Sequence, residues 1–123
     1  MDITLTIENV ELQASLNDSP IAAALVNDLP TGVRMSRWGD EYYGSIGLGM
    51  DNDRETREDV EVGTLAYWPT GDALCIFFGP TPASTGPMPR AASAVSVIGS
   101  VTGGDLDALR ALGRSVTAAI EPA

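Results

Sequence analysis

The chain has 123 residues, 44% of them hydrophobic, so we expect one domain spanning residues 1–123 with a single packed core. Its 17 acidic residues outnumber its seven basic residues, which are all arginine, and the net charge is −10. A surface of this charge repels phosphate groups, and the arginines form no basic patch, so we expect neither nucleic acid nor a membrane as a partner.

A β-hairpin is predicted at the start of the chain. Residues 3–8 alternate between apolar and polar side chains, which is the period of a strand with one buried face. Residues 10–16 alternate in the same way, and Asn9 permits a turn between the two segments. We therefore expect two short strands that pair with each other.

A helix is predicted to follow this hairpin. Asp18 or Ser19 can cap free amide groups, and Pro20 suits the first helical position because a backbone donor has no helical partner there. We expect the helix to run to about Leu29, where Pro30 stops it.

The middle of the chain is predicted to form the centre of the core. The elements expected there are a strand over residues 31–38, a turn and short strand over 38–44, a solvated loop over 51–59, a strand over 65–69, a reversal over 70–72 and a buried strand over 73–78. The last of these is the longest apolar run, and it is far shorter than the roughly 18 residues of a membrane span. No transmembrane segment is therefore predicted.

The remainder of the chain begins with an irregular loop. Residues 79–89 contain four prolines and two glycines, which excludes a regular element. Beyond it the pattern predicts a strand over residues 92–101, a second helix that begins at Gly104 or Asp105 and ends at Gly113, and a last strand over 115–120. Eight or so short strands with two short helices predict a mainly β fold whose sheet closes into a barrel, since closure removes exposed edges.

Two features bear on the cellular compartment. The start of the chain lacks a basic segment followed by a long apolar one, so no signal peptide is predicted and we expect a cytoplasmic protein. Cys75 is the only cysteine, which excludes an intrachain disulfide, and we expect its thiol to be buried as a small hydrophobic group.

The proline-rich loop is the first candidate site. Its amide groups and hydroxyls, including that of Thr81, together with the Arg90 guanidinium, are suited to hold a carboxylate or a phosphate group. The alternative is a rigid connection in which Arg90 makes a structural ion pair. The glycines do not form a nucleotide-binding motif, because no helix begins after them and no lysine follows.

The aromatic residues are the second candidate. All seven lie between residues 38 and 78, and they are Trp38, Tyr42, Tyr43, Tyr67, Trp68, Phe77 and Phe78. Neighbours on a strand point to opposite faces, so one of Phe77 and Phe78 lies inside the barrel while the other lies outside. The aromatic side chains therefore either line an apolar groove for a ligand or fill the core.

Carboxylate and metal chemistry have less support. Asp40 and Glu41, beside Trp38, are candidates for a general acid and base, but adjacent strand residues point apart and cannot converge. Residues 51–62 begin with the spacing of a calcium loop and then lack its glycine and its final glutamate. Because the chain has no histidine, we expect no transition-metal site and no histidine-assisted nucleophile. We also expect no cofactor.

Five sequence blocks together resemble the prokaryotic cyclophilin-like domain family. They are Trp38 to Tyr43, Gly63 with Ala66 to Pro69, Ile76 to Pro82, Pro89 to Ser93, and Ile98 with Gly99. The resemblance covers nearly the whole chain. It implies a closed barrel of roughly eight strands capped by helices, and a fold similar to that of the cyclophilins, which are peptidyl-prolyl isomerases.

This sequence departs from the cyclophilins at their catalytic blocks. It has neither the Phe-His-Arg block nor the Gln-Gly-Gly block, and Arg90 does not match the context of the catalytic arginine. The leading hypothesis is therefore a domain that binds a small molecule or a short proline-containing peptide. The expected site is a groove near Tyr67, Phe77, Thr81 and Arg90, with Trp38 and Glu41 as further contacts.

Two other functions remain open at this point. One is a slow prolyl isomerase in which Arg90 hydrogen-bonds near the proline nitrogen of a desolvated, twisted amide. The other is an interaction protein whose exposed aromatic side chains form a homodimer face.

Overall fold

Nine strands, one α-helix and two 3-10 helices make up the computed structural model, which describes residues 1–123. In chain order the elements are β1 (Asp2–Ile7), β2 (Val10–Leu16), α1 (Pro20–Asn27), β3 (Thr31–Arg37), β4 (Glu41–Ser45), β5 (Arg57–Asp59), β6 (Thr64–Trp68), a 3-10 helix (Pro69–Gly71), β7 (Ala73–Phe77), β8 (Arg90–Gly103), a 3-10 helix (Leu106–Ala111) and β9 (Ser115–Pro122). None of the helices combines the length and apolarity that a membrane crossing requires.

The strands form one antiparallel sheet that closes on itself. Their order is β2-β1-β9-β3-β4-β7-β6-β8, and β8 pairs back with β2, which gives a ring of eight strands. The ninth strand, β5, pairs with the first part of β8 outside the ring. Closure satisfies backbone groups that an open sheet would leave at its edges, and it confirms the predicted mainly β, closed eight-stranded fold.

Alternation along each strand divides the apolar side chains between two cores. On β7 and the residue after it, Leu74, Ile76 and Phe78 belong to a core of 23 buried residues inside the ring, to which α1 also contributes. Cys75 and Phe77 point the other way, into a cluster of six buried residues that we call the outer cluster. Its members are Val60, Ala66, Cys75, Phe77, Ala91 and Val95. The predicted split between Phe77 and Phe78 is therefore confirmed.

Several element boundaries differ from the expectation. The helix begins at Pro20 with Ser19 as its cap, as predicted, but it ends at Asn27 because the amide of Asp28 bonds the carbonyl of Leu25. The expectation of a loop over residues 51–59 is wrong at its end, where Arg57–Asp59 forms β5. This strand exists because β8 begins at Arg90, earlier than predicted, and offers backbone partners outside the ring.

Candidate ligand-binding cavity

A small cavity lies on the outer face of the ring, beside the outer cluster. Its volume is about 190 Å³. Seven of its eight lining residues are hydrophobic, and the eighth is a glutamate. The lining residues are Trp38, Glu41, Tyr43, Trp68, Cys75, Ala91, Ala92 and Val95. An apolar cavity with one polar group is the usual composition of a small-molecule site.

A tight turn between β3 and β4 places two of these residues side by side. The Trp38 amide donates to the Glu41 carbonyl at 2.8 Å, and the Glu41 amide donates to the Trp38 carbonyl at 3.2 Å. Residues paired in this way across a hairpin have their side chains on the same face. Gly39, inside the turn, has φ +60, and a Cβ there would lie 2.7 Å from Cδ of Pro82. The turn therefore depends on glycine.

Strand register brings the rest of the cavity together. Glu41 lies opposite Phe77 and Tyr43 lies opposite Cys75 in the β4–β7 pair, so all four side chains share the outer face. In the next pair Ala66 lies opposite Cys75, and Trp68, two residues along β6, is on the same face. The cavity is the space that these strands leave beside the start of β8.

Glu41 is the chemically distinctive residue of this cavity. Its side chain is only 5% exposed, and none of the structure's ion pairs includes it. Burial raises the pKa of this carboxyl from 4.5 to about 7, while a hydrogen bond with the Cys75 thiol lowers it. Glu41 therefore exchanges a proton near neutral pH, which allows it to act as a hydrogen-bond donor or as an anion.

The Cys75 thiol beside it stays protonated. Burial raises the pKa of this thiol well above its ordinary value, and the neighbouring Glu41 charge raises it further. A buried thiol in this state is a weak hydrogen-bond donor toward the carboxylate and a poor nucleophile.

Aromatic rings form the walls of the cavity. The rings of Tyr43 and Trp68 meet edge to face, with centroids 6.1 Å apart and planes at 86°. The Trp68 indole is fixed because Nε1 donates to Oγ of Ser93 at 2.6 Å. Trp38, the chain's other tryptophan, completes the aromatic lining. A ligand in the cavity would therefore change the surroundings of both indole rings.

The six sequence-predicted site residues lie in four places, one of which is the proline-rich loop. Trp38 and Glu41 line the cavity, and Phe77 lies in the outer cluster next to it without lining it. Tyr67 is inside the ring, where its hydroxyl donates to Asp72 Oδ1 at 2.5 Å and accepts from the Met50 amide at 3.2 Å. Tyr67 and Trp38 thus do not meet in one groove.

Thr81 and Arg90 stabilise the proline-rich loop. The Thr81 hydroxyl donates to the carbonyl of Arg90 at 2.5 Å, and the Thr81 amide donates to Oγ of Ser84 at 2.9 Å. The Arg90 guanidinium lies 3.5 Å from a carboxylate oxygen of Asp59 and 4.0 Å from one of Glu58. It does not line the cavity, and this arrangement matches the alternative of a structural ion pair.

Asp40 and Glu41 point apart, as expected for neighbours at a strand end. Asp40 forms ion pairs with Arg37, at 3.0 Å, and with Arg110 on the 3-10 helix. The Arg110 guanidinium also donates to the carbonyl of Phe78 at 3.0 Å. Asp40 therefore links the β3–β4 turn to the second 3-10 helix, which carries Arg110, while Glu41 lines the cavity.

Several cavity residues were not identified as site residues from the sequence. The sequence includes Tyr43 and Trp68 among the aromatic residues that either line a groove or fill the core, but not in the expected site, and it predicts only burial for Cys75. It indicates no binding role for the small residues at the start of β8. A usable signal was the period of two in β4, which places Tyr43 on the same face as Glu41. No pattern in the sequence indicates that β6 and β8 supply the remaining lining residues of the cavity.

A larger depression on the surface has a different character. It measures about 1000 Å³ and has one hydrophobic residue among the nine that line it. Those residues are Asn17, Ser19, Pro20, Asp53, Arg54, Glu55, Thr56, Arg57 and Val97. Their charges alternate in sign and their charged side chains are mainly exposed, so the depression presents solvated surface and no distinctive group.

Comparison with known proteins gave one family and an experimental structure. The family model described as Cyclophilin-like matches residues 1–120. The solution structure of a hypothetical protein from Archaeoglobus fulgidus is similar, with 31% sequence identity and a TM-score of 0.83 over 100% of this chain and 95% of that chain. No curated protein matches the sequence.

Proposed function

This chain belongs to the cyclophilin-like family, and from that premise we propose that it is a ligand-binding domain whose site is the cavity at Glu41. Membership of a fold family leaves the function open, so the proposal rests on the site itself. The observation that carries it is a buried carboxyl group without a charged partner, in an apolar cavity.

Burial of Glu41 is costly for the folded protein. A carboxyl group removed from water without a compensating partner destabilises the native state, and a hydrophobic residue at this position would pack at lower cost. Such an arrangement is common at functional sites, where a perturbed pKa serves binding or chemistry. The Cys75 thiol offers only a weak hydrogen bond in compensation.

The size of the cavity limits the ligand. Sites for drug-sized molecules usually measure about 300–1,000 Å³. A cavity of about 190 Å³ therefore suits a small molecule, or one side chain of a short peptide, with an apolar body and one polar group directed at Glu41.

This proposal moves the site away from the groove expected near Tyr67, Thr81 and Arg90. Trp38 and Glu41 are retained, and Tyr43, Trp68 and Cys75 are added. The isomerase hypothesis is not carried forward, because its key guanidinium faces Asp59 and Glu58 outside the cavity. No observation favours a catalysed reaction.

The two tryptophans provide the test. We would titrate small alcohols, amides and amines, and short X-Pro peptides, while recording the indole N–H signals in a two-dimensional NMR spectrum. A compound that binds in the cavity should shift both indole signals. The Ala92→Phe variant, which adds a ring where an exposed alanine lines the cavity, should abolish the shifts.

The matched control is Ala111→Phe, which adds the same ring at an exposed alanine on the second 3-10 helix. It should bind as the wild type does. The proposal is wrong if no compound shifts the indole signals, or if the shifts survive Ala92→Phe.

A further inference from the structure

The walls of the cavity have a chemical preference of their own. Three of its lining side chains, Trp38, Tyr43 and Trp68, are aromatic rings that carry negative potential on their faces. Such faces attract cations within about 6 Å of the ring centroid, and the indole ring is the strongest of them. Two of these rings, Tyr43 and Trp68, stand at 86° to each other.

The carboxyl group of the cavity lacks a counter-ion from the protein. The five ion pairs of the structure join Arg37, Arg90 and Arg110 to other acidic residues. The chain has no lysine and no histidine that could reach Glu41. A cation that neutralises the ionised carboxyl must therefore come from outside the chain.

The apolar lining of the cavity restricts which cations can bind beside Glu41. A metal ion or a bare ammonium ion keeps a tight hydration shell, and an apolar cavity with one carboxylate cannot replace it. Alkyl groups on the nitrogen shield the charge from water and supply apolar surface for the aromatic walls. The net charge of −10 also raises the local concentration of cations around the protein.

We propose that the cavity binds a small alkylated ammonium ion, with the Glu41 carboxylate as counter-ion and the rings of Trp38, Tyr43 and Trp68 as walls. This inference rests on the proposed function and specifies its ligand class. It gives Glu41 a role that a purely structural residue would not have, because the charge on Glu41 must matter for affinity.

The competing arrangement is a neutral ligand that accepts a hydrogen bond from protonated Glu41. The two arrangements respond to pH in opposite directions. Cation binding strengthens as Glu41 ionises above its pKa of about 7, whereas binding of a neutral acceptor weakens. Tyr43 and Cys75 also line the cavity, and burial raises the pKa of the Cys75 thiol well above its ordinary value. The Glu41 pKa of about 7 therefore sets the pH at which the carboxyl group gains its charge.

Choline and its neutral isostere provide the experiment. In the isostere, a dimethylbutanol, a carbon atom replaces the nitrogen, so the two probes have one shape and differ in charge. We would titrate both against the full chain at about pH 8 and about pH 5.5 and follow the indole N–H signals. Choline should bind at least about tenfold more tightly than the isostere at the higher pH, and the advantage should shrink at the lower pH.

Two variants identify the group responsible. Glu41→Gln keeps the shape of the side chain and removes its charge, so it should weaken choline binding about tenfold and leave the isostere unaffected. Glu11→Gln, at an exposed position on β2, is the matched control and should change neither.

Each outcome is decisive. Equal affinity for the two probes, or undiminished choline binding in Glu41→Gln, overturns the inference while the proposed binding function stands. Binding of neither probe overturns the inference, and the proposed function is then decided by the wider panel of compounds. Choline shifts that survive Ala92→Phe place the cation elsewhere and also overturn it.

Discussion

Glu41 and Cys75 lie on the same face of the neighbouring strands β4 and β7, line the same cavity and are both buried. The β4–β7 register, which sets Glu41 opposite Phe77 and Tyr43 opposite Cys75, produces this arrangement. The charge on Glu41 raises the pKa of the Cys75 thiol, because a thiolate beside a carboxylate would be a second buried negative charge, whereas the thiol lowers the pKa of Glu41. The pair therefore holds at most one charge at neutral pH, and that charge faces the cavity.

Glu41 should make the stability of the protein depend on pH. Its pKa is about 7 in the folded state against 4.5 as the ordinary value, so its contribution is fully present below about pH 4.5 and is lost as the pH rises through 7. The difference corresponds to about 3 kcal/mol. Urea unfolding at about pH 5 and about pH 8 should show Glu41→Gln gaining about 2–3 kcal/mol relative to the wild type between the lower and the higher pH.

The informative quantity is the difference between two proteins, because effects of pH that are common to both cancel in it. Glu11→Gln should show nearly the same offset from the wild type at both pH values. An offset for Glu41→Gln that does not change with pH would contradict the prediction.

Cys75 should resist alkylation in the folded protein. Its side chain is 1% exposed and its thiol pKa is raised well above the ordinary value, so both access and thiolate content are low. Iodoacetamide labelling at about pH 8, followed by mass spectrometry, should be at least about 100-fold slower in buffer than in concentrated urea. Similar rates in the two conditions would show that the thiol is accessible in the native state.

Gly39→Ala should destabilise the protein more than a simple backbone penalty. Both Gly39 and Gly47 have positive φ, +60 and +69, so an alanine at either costs about 1–2 kcal/mol. A Cβ at Gly39 would also lie 2.7 Å from Cδ of Pro82 and 2.9 Å from Cα of Thr81, whereas a Cβ at Gly47 meets nothing within 4 Å. The free energy of unfolding, measured by heat or urea, should therefore be about 1–3 kcal/mol lower for Gly39→Ala than for Gly47→Ala.

The same substitution tests how the cavity is built. Displacement of the turn moves Trp38 and Glu41 together, so the Trp38 indole signal should shift in Gly39→Ala and stay in place in Gly47→Ala. Equal stability of the two variants would contradict the prediction, because it would show that the loop after β7 moves away from the added Cβ at Gly39 without loss of stability.

Tyr67→Phe separates a structural role from a binding role. The Tyr67 hydroxyl bonds with Asp72 and with the Met50 amide, so its removal breaks two partly buried hydrogen bonds and should cost about 1–3 kcal/mol. Because Tyr67 lies inside the ring, choline binding should be unchanged. Tyr43→Leu should do the reverse, weakening choline binding with a smaller loss of stability, since Tyr43 is half-exposed and lines the cavity.

Calorimetric titration of the two folded variants, together with urea unfolding, would measure both quantities. Loss of choline binding in Tyr67→Phe at full stability would return Tyr67 to the site, as the sequence first indicated.

Local signals determined the elements and the faces of their side chains. The alternation of residues 10–16 predicted β2 over its full length, and Ser19 with Pro20 predicted the start of α1, because caps and periodicity depend on neighbours in the chain. The same rule assigned Phe77 and Phe78 to opposite faces and agreed with the divergence of Asp40 and Glu41. The sequence blocks also identified the family.

Only the tertiary structure decided which strands meet, and so where the cavity lies. A period of two tells which side a residue faces, but it does not name the strand beside it, because pairing depends on the energy of all strands closing together. For this reason the sequence did not reveal that Cys75 and Trp68 would lie with Glu41, or that Asp59 would approach Arg90. The pKa of Glu41 followed from that burial, which exists only once the ring has closed.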